Sequence, residues 1–190
     1  MEIEIRAFID DVGEFKKILK KLGATYEYEA HIIDSWHCDK NGSKFEEVQQ
    51  DKPGSYGLRI RKQIDKDFSK SELNCKVLKS EGDHNVFYEF ESKIHDSEQV
   101  GEILKHIGFK VFCTVDKKRT AYKLGKCTVN IEEIKGFRPA VELEIISDEK
   151  EEEHKQYLKN LLKDLQIKEE NKIEKSITHL YMKDFSFKKN

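Results

Sequence analysis

From Glu2 to Phe8 the chain alternates: Ile3, Ile5 and Ala7 fall on one face, and Glu2, Glu4 and Arg6 on the other. A period of two is that of a β-strand with distinct sides. Six further segments repeat the pattern. Arg59 and Arg61 oppose Leu58 and Ile60; Lys76 stands beside Asn74, opposite Leu73, Cys75 and Val77; Glu89 and Glu91 oppose Tyr88 and Phe90. Lys117 aligns with Arg119, Asn130 with Glu132 against Val129 and Ile131, and Glu142 with Glu144 against Val141, Leu143 and Ile145. Seven strands are therefore predicted to carry a charged face, four acidic and three basic.

Between them the period changes to that of a helix. Asp11 and Glu14 form a capping-box pattern, after which Val12, Phe15, Leu19 and Leu22 keep one side apolar until Gly23. Ser97 to Ile107 repeats this with Val100, Ile103, Leu104 and Ile107 before Gly108. A third helix is predicted from about Glu149 to Leu165, and a fourth from near Asn171, carrying Ile173, Ile177 and Tyr181. Lys40 to Ser55 reads as a mobile excursion, and Asp65 to Ser71 as a polar hairpin connection. The order strand, helix, strand occurs twice, at EIEIRAFI and at EFESKI, which predicts a pseudo-symmetric α+β domain.

Composition excludes several classes. Hydrophobic residues are 37% and charged residues 38% of 190, but eleven Phe, seven Tyr and one Trp argue against disorder. Thirty-five basic and 37 acidic groups leave a net charge of −2, so no overall field recruits nucleic acid or a membrane surface. Cys38, Cys75, Cys113 and Cys127 form no CxxC pair, and the seven histidines form no HxH or HExxH spacing. With no signal peptide and no long apolar run, the expectation is reduced thiols in a cytoplasmic protein.

Charge of one sign in duplicate is unusual for a solvated sheet face, which mixes signs and includes Ser, Thr and Gln. A closed antiparallel barrel with its apolar side under helices and its charged side inward accounts for it better. Buried like charges cost several kcal/mol each without a partner. Carboxylates are neutralised by a hard divalent cation, and guanidinium and ammonium groups by phosphate oxygens. A cavity lined with both suits a metal–polyphosphate complex.

In order and spacing these residues resemble the CYTH family, the triphosphate tunnel metalloenzymes. Glu2, Glu4 and Arg6 stand on its opening Glu-x-Glu-x-Lys motif, Arg59 and Arg61 on Leu-Arg-x-Arg, and Lys76 on its next tunnel lysine. Lys117 and Arg119 match a Lys-x-Arg pair; Glu132, Glu142 and Glu144 match the closing acidic positions. The resemblance covers about residues 1 to 146. It implies one domain over residues 1–190, an eight-stranded antiparallel tunnel with flanking helices, the last at about 149–185.

It further implies magnesium or manganese on Glu2, Glu4, Glu132, Glu142 and Glu144. Arg6, Arg59, Arg61, Lys76, Lys117 and Arg119 would clamp phosphate, with Arg6, Lys76, Lys117 and Arg119 taking part in catalysis and Glu89 and Glu91 supporting the basic residues. The implied partner is a small-molecule triphosphate, with no nucleic acid and no membrane, and the protein a monomer or homodimer. Three functions follow: an adenylyl cyclase of the class IV type, favoured by motif order and length; a triphosphatase; or a binding module without turnover. Five residues depart from the family pattern. Arg6 replaces a lysine and keeps its proton, Phe87 stands where many members have arginine, Arg138 and Pro139 replace a glycine turn, and Glu132 replaces aspartate.

Overall fold

The computed structural model of the chain describes residues 1–39 and 54–187, with side chains to Lys183. The excursion expected at Lys40 to Ser55 lies outside the described residues except for its last two positions. The elements are β1 (Glu2–Phe8), α1 (Val12–Lys21), β2 (Thr25–Cys38), β3 (Tyr56–Ile64), β4 (Ser69–Leu78), β5 (Val86–Ile94), α2 (Ser97–His106), β6 (Lys110–Leu124), β7 (Cys127–Ile134), β8 (Ala140–Ile146), α3 (Glu151–Asp164), β9 (Lys172–Ile173) and α4 (Ile177–Phe187). Hydrogen-bonded strands follow the order β5-β4-β3-β2-β6-β7-β8-β1-β9, and β5 also pairs with β1. The fold class is therefore α+β, an eight-stranded antiparallel barrel closed through β5 and β1 and flanked by helices.

The two strand–helix–strand passages are built alike. Asp11 caps α1 by accepting from the Glu14 amide, and Asp96 caps α2 by accepting from the amides of Glu98 and Gln99. Each helix then ends at a glycine of positive φ, Gly23 at 80° and Gly108 at 106°, a conformation that a Cβ would strain. The fourth helix starts later than its spacing suggests. Residues 169–171 form a 3-10 turn and Ile173 pairs with Arg6 as part of β9, so α4 begins only at Ile177. Pairing with β1 outcompetes local helix propensity there.

The described residues divide into two compact units, Met1–Glu29 with Lys118 onward, and Ala30–Lys117. In the first unit, Ile3 and Ala7 of β1 join Val129, Ile131, Val141, Leu143 and Ile145 in one apolar face. Phe15 and Leu19 of α1 and Leu158, Leu161 and Leu162 of α3 cover it. The charged residues of β1, β7 and β8 take the opposite face. In the second unit, α2 packs on β3, with Gly101 close to Ile60. Cover is partial there: Phe90 is 62% and Ile107 66% exposed. No helix among the described residues is long and apolar enough to cross a membrane.

Candidate functional site

The first unit builds an acidic face by register. Glu4 lies opposite Glu144 and Arg6 opposite Glu142; on the other side of β8, Glu142 meets Asn130 and Ala140 meets Glu132. Alternation thus gathers Glu2, Glu4, Arg6, Asn130, Glu132, Glu142 and Glu144 onto one side. Glu2, Glu4, Arg6, Asn130 and Glu132 are buried.

Two arginines offset part of this charge. Arg119 of β6 donates from Nε to Glu132 Oε1 at 2.6 Å and from Nη2 to Glu142 Oε2 at 3.1 Å. Arg6 pairs with Glu4 and places Nε 3.7 Å from Glu142. Burial lowers the pKa of Arg6 against the opposing pull of Glu142, Glu2 and Glu144. For Arg119 burial also opposes the charge, but Glu132, Glu142 and Glu144 outweigh it and the shift is upward. Five carboxylates thus face two guanidiniums.

The carboxylates separate into two sets. Glu132 and Glu142 hold Arg119, whereas Glu2, Glu4 and Glu144 bring one oxygen each within 4.8 Å of one another. An all-oxygen donor set of this charge suits magnesium or manganese rather than a soft metal. A second observation fits the same conclusion. The Asn130 side chain is 1% exposed, and among the described residues neither its amide oxygen nor its nitrogen has a hydrogen-bond partner. A buried polar group left so costs about 1–3 kcal/mol, a penalty that a bound ligand would relieve.

The second unit builds a basic face around one acid. Asp34 of β2 is 1% exposed and lies opposite Arg61 in the β2–β3 register. Arg61 forks onto it, Nε to Oδ1 at 2.7 Å and Nη2 to Oδ2 at 2.8 Å. Arg59 Nη1 and Lys117 Nζ each stand 3.7 Å from Oδ2. Burial pushes the Asp34 carboxyl upward, but Arg61, then Arg59 and Lys117, overcome it and hold the acid well below the usual carboxylate range.

The remaining basic groups are steered by neighbours. Arg59 lies over the Trp36 ring at 5.1 Å, donates to Asn74 Oδ1 at 3.4 Å and stands 3.7 Å from Glu89. A Cβ at Gly57 would come within 2.8 Å of that tryptophan, so glycine is needed for the stack to form. Lys76 is 3.9 Å from Glu89 and lies over Phe87 at 5.6 Å, the position where an arginine is common in the family. Glu91 is exposed and accepts from Asn74.

The CYTH domain model matches residues 1–177, spanning both units. The chain belongs to the CYTH family. CYTH members are adenylyl cyclase-like or triphosphatase-like enzymes that act on small triphosphates with divalent metal ions. A Methanocaldococcus jannaschii protein named "Putative adenylate cyclase" is 31% identical over 195 residues, covering 95% of this chain and 98% of its own length. Among solved structures, a Pyrococcus horikoshii protein superposes with a TM-score of 0.77 at 27% identity, over 93% of this chain and 96% of that one. A Hippeastrum protein, described as having a dominant triphosphatase activity, shares the fold at a TM-score of 0.57 and 18% identity, over 88% and 89% of the two chains.

The buried Asp34, at the centre of the basic face, was not among the residues singled out from the sequence. It shares a strand face with Ala30, Ile32 and Trp36, so a search for duplicated charges passes over it.

Proposed function

We propose that this chain is a divalent-metal-dependent enzyme acting on a triphosphate, with conversion of ATP to cyclic AMP and pyrophosphate as the first reading. The observation that carries it is the Glu2, Glu4 and Glu144 cluster, three carboxylate oxygens within 4.8 Å of one another across the β1–β8 pair. Repulsion among them is offset best by a hard cation. The name of the M. jannaschii relative supports the cyclase reading.

When bound at these glutamates, magnesium or manganese would supply Lewis-acid neutralisation of charge on the reacting phosphate. The chain's own residues do the rest. Arg6 stays protonated and acts as a fixed cation and hydrogen-bond donor, not as a proton acceptor. Arg59, Arg61, Lys76 and Lys117 bind phosphate oxygens, with Asp34 and Glu89 keeping them oriented in the absence of ligand. Arg119 adds a further guanidinium. Glu132 and Glu142, also proposed as metal ligands, hold Arg119 here and would have to exchange it for the cation. In the cyclase reaction the ribose 3′-hydroxyl attacks the α-phosphorus and pyrophosphate leaves, its growing charge met by the basic set.

A triphosphatase is the second reading, because hydrolysis of the terminal phosphate draws on the same cation and the same clamp. The Hippeastrum protein, with a similar fold and described as having a dominant triphosphatase activity, supports this reading. Incubation of purified protein with ATP, thiamine triphosphate and tripolyphosphate under magnesium or manganese separates the readings. Cyclic AMP with pyrophosphate supports the first and inorganic phosphate the second. Tight binding without product would reduce the protein to a binding module.

A further inference from the structure

Beyond Arg6, the acidic face of the first unit does not stop at a charge. Phe8 is the next residue of β1 on the same side, about 7 Å further along the strand. It lies opposite Ala140, which in turn lies opposite Glu132. The row that holds Glu132 therefore continues into an aromatic wall. A cavity of about 340 Å³ opens there, lined by Phe8, Gly136, Phe137, Arg138 and Leu180.

The walls of this cavity are held in place. The Phe137 ring meets Phe8 at 5.7 Å and Tyr181 at 5.8 Å. Gly136, with φ of 77°, makes the turn that places Phe137 and Arg138 side by side. Arg138 lies over Phe8 at 4.8 Å, and its Nη2 donates to Asp10 Oδ1 at 2.8 Å and Asn171 Oδ1 at 2.9 Å. Because both bonds leave from Nη2, the guanidinium keeps other donors and a flat face. Aromatic rings beside an anchored guanidinium recognise a planar heterocycle, by stacking and by donation to its ring acceptors. The volume sits at the small end of ligand cavities, suited to one ring system.

We propose that this cavity receives the planar base of a nucleoside triphosphate whose phosphates are engaged by the adjoining carboxylate–guanidinium face. The proposal rests on the triphosphate reading and adds to it a base-binding subsite, which would favour a nucleotide over inorganic triphosphate. Phe137→Leu keeps apolar volume but removes the ring, and Arg138→Gln removes the charge while keeping a polar chain.

Dissociation constants for ATP, GTP and tripolyphosphate are measured with magnesium present, for wild type and both variants. The expected result is a loss of about tenfold or more in affinity for at least one nucleotide in Phe137→Leu, with tripolyphosphate affinity within about twofold of wild type. Arg138→Gln should show the same selectivity. Nucleotide affinity unchanged in both variants overturns the proposal, and so does an equal loss for tripolyphosphate. Wild type that binds tripolyphosphate but neither nucleotide sinks the base site and leaves the triphosphate reading standing. Binding of none of the three removes both.

Discussion

The two units treat buried charge in opposite ways. In the first, five glutamates stand around two arginines, and three of the acids bring one oxygen each within 4.8 Å of one another beside Arg6. In the second, a single aspartate gathers Arg59, Arg61 and Lys117 within 3.7 Å. One face carries more carboxylates than guanidiniums, and the other is organised around an internal counter-ion. On the proposed reading the first would take up a metal cation, whereas the second, its cations held by Asp34, would yield them to an anion. Experiments that remove one element from each unit should therefore give different signatures.

The largest stability effect is expected at Arg61. Arg61→Ala leaves Asp34 buried without its bidentate partner, and such a loss costs about 3–5 kcal/mol, readable as a lower urea midpoint. The Asp34→Ala, Arg61→Ala double variant should recover part of it. A cost below about 1 kcal/mol would show that Asp34 does not organise the basic face. The same carboxyl sets an acid dependence. Its folded-state pKa is depressed, so its contribution is complete above the unfolded carboxylate value of about 3.9 and fades as pH falls from there toward the folded value. The stability gap between wild type and Asp34→Asn should shrink as pH is lowered below about 4.

In the acidic unit the larger effect falls on turnover. Glu4→Gln or Glu144→Gln removes an oxygen ligand and should lower metal-dependent turnover by about a hundredfold or more, with the circular dichroism spectrum unchanged. Near-normal rates in both variants would disconnect the cluster from the metal. Ligand-induced melting shifts sharpen the contrast. Saturating magnesium or manganese, at about 100 times the dissociation constant, should stabilise by about 2.7 kcal/mol. That gain should vanish in Glu4→Gln and survive in Arg59→Ala. Tripolyphosphate without metal should give the reverse pattern, and a melting curve indifferent to both ligands would remove the contrast between the units.

Most of this was legible in the sequence because the strand period puts like charges on one side wherever they repeat. β1, β3 and β8 needed nothing more. Asp34 was hidden because it stands alone among apolar neighbours on its face, and only pairing with β3 shows that Arg61 lies opposite. That pairing also changes an inference about Arg59. Two arginines on one strand face suggest mutual repulsion, yet Arg59 and Arg61 share the Asp34 carboxylate. That Glu132 and Glu142 both hold Arg119 depends on where Arg119 reaches, which no spacing encodes. The start of α4 was misread for a similar reason: Asn171 and Glu174 imitate a capping pair, but Ile173 is taken by β1.

The smallest expected effect distinguishes a ligand-binding lysine from a structural one. Among the contacts of Lys76 are two at the limit of their range, 3.9 Å to Glu89 and 5.6 Å to the Phe87 ring. Its side chain keeps 17% exposure, so neither contact is fully desolvated. Lys76→Met retains most of the alkyl chain that packs beside Phe87 and deletes only the charge. Stability should therefore change by no more than about 0.5 kcal/mol, far less than for Arg61→Ala. Tripolyphosphate affinity should nevertheless fall about tenfold, the scale of one charge-assisted hydrogen bond. If Lys76→Met binds tripolyphosphate as wild type does, the lysine is a surface group tethered to Glu89, and the basic face must be redrawn around Arg59, Arg61 and Lys117.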